Sequence, residues 1–191
     1  PLEGLEGHRV SAAFLPIVGE GRMALGTEDG AVWVGTLALT TAFEGSRRLV
    51  RPDVETRFVY PAAPGHRIAS LAYRASDAGG VIAAVTDDGH VVLTLITEQG
   101  GFVGPVRRLV TSAAVPQDPA WGRATHVLVD AAATSVTVGT DAGWLSRWQV
   151  APRGAVTLVE VRQVVAQGGV TAMSYLLGDR SIAVGGGDGS L

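Results

Sequence analysis

One turn pattern occurs four times along the chain, and it constrains the fold more than any other feature. Each copy is a short apolar strand, an acidic turn that contains Gly, and a second apolar strand: Met23–Val34, Ile82–Leu93, Val136–Trp148 and Ile182–Leu191. Asp-Gly between apolar segments is a strong hairpin signal, because a type I′ turn needs positive φ at both central residues. We therefore predict four β-hairpins with equivalent turn glycines, Gly30, Gly89, Gly143 and Gly189.

A further apolar segment precedes each hairpin, and another follows the first three. The preceding segments are Arg9–Leu15, Arg67–Tyr73, Ala124–Asp130 and Val170–Leu177. The following segments are RRLV at Arg47–Val50, RRLV at Arg107–Val110 and RQVV at Arg162–Val165, each starting 17 to 19 residues after its turn glycine. This spacing predicts that Arg47, Arg107 and Arg162 occupy equivalent positions on the fourth strand of each unit. The β-branched content of Val156–Val165 favours a strand over a helix.

Repeated four-stranded antiparallel units of about 42–45 residues are typical of β-propeller blades. We predict an all-β fold, an incomplete β-propeller of four-stranded antiparallel blades, with three blades plus half of a fourth in a partial propeller domain over residues 1–191. The blades span approximately residues 7–50, 66–110, 124–165 and 169–191, with insertions at 51–65 and 111–123. Because propellers close with about four to eight blades, we expect the chain to be a fragment of a longer protein or to self-associate through open propeller edges.

Composition excludes several kinds of chemistry. All 15 basic residues are Arg, so no Lys is present for a phosphate loop, a Schiff base or pyridoxal chemistry. The absence of Cys excludes disulfides, thiolate nucleophiles and iron–sulfur ligation. The net charge of −3 gives no electrostatic reason to expect nucleic acid as a partner. No apolar stretch reaches the roughly 20 residues of a spanning helix, so we expect no direct membrane span in this segment.

The acidic turn residues and the histidines suggest sites that we weigh against turn geometry. The acidic set, a possible ring for cations or a basic partner, is Glu28, Asp29, Asp87, Asp88, Asp141 and Asp188. Asp-Gly satisfies turn geometry at low steric cost, and we prefer that interpretation. The four histidines, His8, His66, His90 and His126, have no metal-ligand spacing such as i, i+4. We therefore predict no metal site and no cofactor.

The arginine pairs do not support anion binding, and the sequence has no nucleophile motif that would support catalysis. The pairs Arg47-Arg48 and Arg107-Arg108 suit phosphate contacts, but on predicted outer strands they protect an exposed edge. We therefore predict no high-affinity phosphate site. No G-x-S-x-G motif is present, and we predict that the chain is not an enzyme. A fragment of a propeller enzyme is the alternative, and its central-channel candidates are His126 and Asp130.

The predicted insertions provide the best candidates for partner binding. They place Phe58, Tyr60 and Trp121 in loops on a rigid scaffold, where binding residues are common. The alternative is that these aromatic side chains pack back onto the rim of the blades.

The chain resembles WD-repeat propellers in several motifs. These are the Gly7-His8 and Gly65-His66 pairs before predicted inner strands, the Asp-Gly hairpins, and Trp144-Leu-Ser-Arg-Trp148-Gln149. The resemblance implies an interaction scaffold held by an Asp–His–Ser/Thr–Trp bonding network. Gln149 stands where the family has Asp, and one unit of four keeps this Trp. We therefore expect that the network cannot be assembled in full.

A narrower resemblance comes from residues Val170–Gly185. This segment is similar to part of the large soluble domain inserted in long permease subunits of bacterial phosphate-specific ABC transporters, as are the ALGTEDG and VGTDAG hairpins. The resemblance implies a non-enzymatic interaction or regulatory domain on the periplasmic side of the bacterial inner membrane, with other transporter subunits as partners. A free-standing WD-repeat-like protein-interaction scaffold is the alternative.

Overall fold

Antiparallel strands make up most of the structure. The computed structural model describes residues 5–15, 21–76, 79–99, 107–176 and 179–191. The first sheet contains β1 Val10–Phe14, β2 Arg22–Thr27, β3 Ala31–Glu44 and β4 Arg47–Pro61. The second contains β5 Ile68–Ser76, β6 Gly79–Thr86, β7 Val91–Gln99 and β8 Arg107–Val115. The third contains β9 Ala124–Val129, β10 Ser135–Thr140, β11 Trp144–Val150 and β12 Val156–Gln163. A two-stranded sheet contains β13 Val170–Tyr175 and β14 Ile182–Gly186.

The order of the strands is that of propeller blades. Within each sheet every strand pairs with its neighbour in sequence, and all described pairs are antiparallel. The first strands of successive sheets contact one another in the order β1, β5, β9 and β13. The predicted fold class is confirmed: the chain is all-β, with three four-stranded blades and two strands of a fourth. Within the described residues, no helix is both long enough and apolar enough to cross a membrane.

The hydrophobic cores lie between blades, which explains why so many strands have apolar residues on both faces. One cluster joins the first and second blades around Ile68 and Ile82, which are fully buried. A second joins the second and third blades around Leu93 and Val138. Hydroxyl groups on the innermost strands add links, since Ser11 Oγ donates to the Ile68 carbonyl oxygen at 2.7 Å. These contacts hold neighbouring blades, and therefore their turns, in fixed positions relative to one another.

The four turn glycines are equivalent, but the turn type differs from the prediction. In each turn the Gly N–H donates to the carbonyl oxygen three residues earlier, at 2.9 to 3.2 Å, and the Gly φ is +80° to +85°. The residue before each Gly is absent from the positive-φ residues, which among the described non-glycine residues are Ala133 and Asp179. The type I′ prediction is therefore wrong. The geometry fits the longer loop in which a type I turn is followed by a left-handed Gly.

The three arginines predicted to be equivalent lie at different heights in their blades. Arg47 pairs with Glu44 at the distal end of β3, Arg107 pairs with Gln99, and Arg162 pairs with Leu145 near the turn glycine. The hairpins have different lengths, so a constant offset along the chain does not give a constant register. The expectation of equivalent arginines is wrong, although the blade topology holds. Val156–Gln163 is a strand, as predicted.

The predicted insertions are partly strand. β4 continues to Pro61 and β8 continues to Val115, so residues 51–61 and 111–115 pair with β3 and β7 instead of forming loops. Residues 62–67 and 116–123 connect the blades, and the second connection includes a 3₁₀ helix, Pro119–Trp121. The first blade therefore extends well beyond residue 50, because β3 and β4 form a hairpin of 14- and 15-residue strands.

Candidate functional site

Two of the three predicted partner-binding aromatics lie in a strand. Phe58 and Tyr60 belong to β4, where their backbones pair with Trp33 and Val32, so their predicted loop position is wrong. A register shift between Val32 and Trp33 marks this part of the hairpin. The side chains of Phe58 and Tyr60 lie outside the described part of the structure. Their role in partner binding stays a prediction.

Trp121 ends the 3₁₀ helix on the connection between the second and third blades. The helix is capped by Asp118, whose Oδ1 accepts the Ala120 N–H at 2.9 Å. The Trp121 carbonyl oxygen accepts a hydrogen bond from the Thr140 hydroxyl, at the third turn. Its side chain is half-buried and packs against the core between the second and third blades. Trp121 is therefore held against the blades by packing and by its backbone hydrogen bond, and part of its side chain remains exposed.

The main projecting element is a β-hairpin arm, which we define as residues 38–53 of β3 and β4. β2 pairs with β3 no further than Thr36, so the arm has only its own two strands to pair within the described residues. Seven paired residues per strand, at about 3.3 Å each, extend the arm about 23 Å beyond the blade. Residues 38–48, 50 and 51 are exposed. The arm is therefore open to a partner along most of its length.

The two faces of the arm differ in polarity. Paired residues of an antiparallel ladder point to the same face, and successive residues alternate. One face carries Leu39, Phe43 and Val50, which are 65%, 69% and 51% exposed, together with Thr41 and Arg48. The opposite face carries Thr40 and Glu44, with Arg51 Nη2 at 3.8 Å from Glu44 Oε1. The arm is an amphipathic ribbon whose apolar face is left in solvent.

The acidic turn side chains are engaged locally. Asp29 Oδ2 is 2.9 Å from His8 Nδ1, and Asp141 Oδ1 accepts the Arg123 N–H at 2.8 Å. Asp188 Oδ1 accepts the Ser190 N–H at 3.0 Å, which lowers the pKa of Asp188 together with a bond from the Ser190 hydroxyl. Asp29, Asp141 and Asp188 therefore contact their own turns and the neighbouring connections, and the turn interpretation of the whole acidic set stays a prediction.

The first blade brings together the residue types of the network that the WD resemblance implies. His8 lies beside Asp29, and a hydrogen bond from Thr27, with a further effect of His8, lowers the pKa of Asp29. The His8 and Trp33 rings are 5.6 Å apart between centroids and inclined at 59°. The His8–Trp33 contact joins two rings, so the expectation that the full bonding network cannot be assembled stays a prediction. Sequence reasoning missed Trp33 because it looked for Trp near the end of the third strand.

The second blade concentrates two histidines at its turn. His66 Nδ1 lies 3.2 Å from Asp88 Oδ2 and 3.7 Å from Asp87 Oδ1. His90 Nδ1 lies 2.9 Å from the same Asp88 Oδ2. A hydrogen bond from the Thr86 hydroxyl is the largest cause that lowers the pKa of Asp88, and both imidazoles add to it. We call these four side chains, His66, Asp87, Asp88 and His90, the histidine–aspartate cluster.

The residues of the alternative enzyme hypothesis, Asp130 and His126, make hydrogen bonds within their own blade. Asp130 Oδ1 accepts the backbone N–H groups of Thr134 and Ser135 at 2.8 Å, and Oδ2 accepts the Thr134 hydroxyl at 3.0 Å. Asp130 therefore caps the turn between β9 and β10, although it also borders a cleft of about 330 Å³. Burial lowers the pKa of His126, whose Nδ1 lies 3.0 Å from the Thr125 hydroxyl. Both groups serve the local structure of the blade.

Comparisons with known proteins give structural similarities but no sequence match. No family model matches the chain, and no curated protein sequence matches it. The β-propeller domain of Cps50 (Swd1) from Myceliophteria thermophila matches with 14% sequence identity and a TM-score of 0.41. The match covers 93% of this chain and 62% of that structure. The resemblance to phosphate-transporter permeases has no counterpart in these comparisons.

Proposed function

We propose that this chain is a non-catalytic domain that binds another protein through the β3–β4 arm. The observation that supports the proposal most directly is the exposed apolar face formed by Leu39, Phe43 and Val50. Large apolar side chains grouped on one projecting face are typical of interaction sites. A two-stranded ribbon without a third strand is marginally stable by itself, and a partner on its apolar face stabilises it.

The charges near the tip of the arm indicate the kind of partner. Arg47, Arg48 and Arg51 lie there with Glu44 as the only acid among residues 41–51, whereas the whole chain has a net charge of −3. Arginine is enriched in protein interfaces, where it surrounds or joins an apolar centre. The partner surface that complements this arm has an apolar patch bordered by carboxylates.

We further propose that the partner is another subunit of a bacterial phosphate-type ABC transporter. In this proposal the chain is part of a long permease subunit of the inner membrane, and the domain lies on the periplasmic side. The support is the sequence similarity of Val170–Gly185 and of the hairpins to the inserted domain of such permeases. A free-standing WD-repeat-like scaffold is the second candidate, and the same exposed arm favours it equally. The two candidates differ in the identity of the protein that the arm contacts.

A site-specific cross-linking experiment tests the proposal. A photoreactive amino acid replaces Phe43 in the full-length gene product expressed in its own cells, and the matched control replaces Val159, which is 49% exposed on β12. We expect cross-links from position 43 to another transporter subunit and none from position 159. Cross-links from position 43 to a soluble protein would support the scaffold and contradict the permease assignment. Equal yields at both positions, or none at either, would contradict docking through the arm.

A further inference from the structure

We propose that the histidine–aspartate cluster of the second blade binds one divalent transition-metal ion of the Zn²⁺ type. The ligand atoms offered by His66, Asp87 and Asp88 all lie within 4.8 Å of one another, and His90 Nδ1 lies 2.9 Å from one of them, Asp88 Oδ2. Imidazole nitrogens with carboxylate oxygens form a donor set that Zn²⁺ and its neighbours accept readily. This inference is independent of the proposed function, because the arm takes no part in it.

The spacing of the ligand atoms fits a tetrahedral ion. Bonds of about 2.0–2.1 Å to zinc place ligand atoms about 3.3 Å apart along the edges of a tetrahedron. The distances from Asp88 Oδ2 to His66 Nδ1 and to His90 Nδ1 are 3.2 Å and 2.9 Å, and His66 Nδ1 is 3.7 Å from Asp87 Oδ1. The donor atoms of His66, Asp87 and Asp88 therefore have the spacing of ligands on one ion, and His90 joins them by rotation of its side chain beside Asp88.

Residues around the cluster hold the ligands in place. The Thr86 hydroxyl donates to Asp88 Oδ1, so the other carboxylate oxygen of Asp88 is the one that faces both imidazoles. The backbone N–H of His66 donates to the Ala63 carbonyl oxygen at 2.9 Å, and the backbone N–H of His90 donates to Thr86 Oγ1 at 3.0 Å. A hydrogen-bonded outer group that orients a ligand is a regular feature of metal sites. Thr86 takes that position here.

One cation, Arg123, offsets part of the negative charge of the two carboxylates. The Arg123 guanidinium donates to the Asp87 carbonyl oxygen, beside two carboxylates and two imidazoles. The group is also exposed, with side chains 37% to 79% accessible, so an ion bound there remains in contact with solvent. An exposed site with a cation nearby gives modest affinity, and we expect a dissociation constant in the micromolar range. Since imidazole binds metals only in its neutral form, affinity falls as the solution is acidified.

The other blades provide internal controls, because their equivalent turns lack part of the donor set. The turns are matched by a hydrogen bond that recurs in three blades. The backbone N–H groups of Glu28, Asp87 and Asp141 donate to the carbonyl oxygens of Arg9, Arg67 and Arg123, which precede the innermost strands. By this match the first blade keeps His8 and Asp29 but has Ala31 in place of His90. The third blade has Gly122 and Trp144 in place of the two histidines.

Isothermal titration of the chain with ZnCl₂ tests the inference, with circular dichroism to confirm that each variant folds. We expect saturable binding of one ion, weakened about tenfold or more in His66→Ala and in His90→Ala, and unchanged in His8→Ala. Thr86→Ser should retain binding, whereas Thr86→Val should weaken it about tenfold, as loss of an outer-shell group does. Absence of saturable binding, or equal weakening by His8→Ala and His66→Ala, would overturn the assignment.

Discussion

Replacing Thr27 with Val tests the hydrogen bond that closes the first turn. Thr27 is fully buried, its Oγ1 accepts the Ala31 N–H at 2.9 Å, and its hydroxyl lies 3.1 Å from the Ala31 carbonyl oxygen. The equivalent Thr86 and Thr140 accept the N–H groups of His90 and Trp144 at 3.0 and 3.1 Å. Val has nearly the shape of Thr, so the substitution removes the acceptor and leaves the packing intact.

The expected loss of stability follows from the buried donor that remains. Ala31 is only 4% exposed, so its N–H has no access to bulk water once the Thr27 oxygen is gone. An unsatisfied buried donor costs about 1–3 kcal/mol, and we expect Thr27→Val to lower the free energy of unfolding by about 2 kcal/mol. For a chain of this size, about 2–4 °C per kcal/mol corresponds to a decrease in Tm of about 4–8 °C.

Urea unfolding followed by tryptophan fluorescence measures this change, and two variants serve as controls. Thr27→Ser keeps the hydroxyl and loses one buried methyl group, so it should cost about 0.8 kcal/mol, less than Thr27→Val. Thr137 is buried, and its hydroxyl has no hydrogen-bond partner in the described structure, so Thr137→Val should be neutral or stabilising. Equal destabilisation by Thr27→Val and Thr137→Val would refute the argument, since loss of any buried hydroxyl would then suffice.

Three other predictions address packing, pH dependence and anion binding. Gly26→Ala places its methyl group 2.5 Å from Ile68 Cγ2 and should cost about 1–3 kcal/mol by urea unfolding, whereas the equivalent Gly185→Ala meets no atom closer than 3.4 Å and should be tolerated. Because the pKa of Asp29 is lowered in the fold, its contribution to stability is present above its ordinary pKa of 3.8 and is lost in more acid solution, so Asp29→Asn should flatten the acid limb of stability against pH. Isothermal titration with phosphate should give no saturable heat, and a signal that disappears in Arg47→Ala would contradict this.

The positions of the four turns could be predicted from the sequence, but the turn type could not. Four Gly residues in an acidic, apolar context were enough to place four hairpins, because a left-handed Gly is needed at each reversal. The turn type was wrong because Asp-Gly was taken as the central pair of the turn. In the first three turns the side chain of the Thr two positions before that pair bonds across the turn, and the fourth turn has Gly186 there with the same backbone geometry.

The arm was missed because its sequence combines strand and loop signals. Residues Thr36–Glu44 alternate in the way a strand does, but Pro52 and the charged residues around it suggested an insertion. A Pro is tolerated on an edge strand, where no partner needs its N–H, and β4 is an edge of its sheet. The near-identical RRLV segments then gave a false register, since nothing in the spacing shows how far a hairpin extends before it reverses.

The histidine–aspartate cluster was missed for a different reason. His66 and His90 are far apart in sequence and have no ligand spacing on one element, so the pattern gave no metal signal. They meet because one precedes the innermost strand of the blade and the other follows the hairpin turn, at the same end of the sheet. Combining the Gly65-His66 pair with the predicted hairpin would have placed them together.

Differences between equivalent positions separate the structural scaffold from the candidate sites. A backbone hydrogen bond recurs in all four turns: the N–H of the turn Gly donates to the carbonyl oxygen three residues earlier. Because this bond joins backbone atoms, it allows the side chains around it to vary. What varies is the long arm of the first blade and the second histidine of the second blade, and neither is needed to close a sheet. The His66–Asp88 contact repeats in the first blade as His8–Asp29, whereas the arm and His90 have no counterpart in the matched blades. Substitutions in the arm and at His90 should therefore affect binding more than stability.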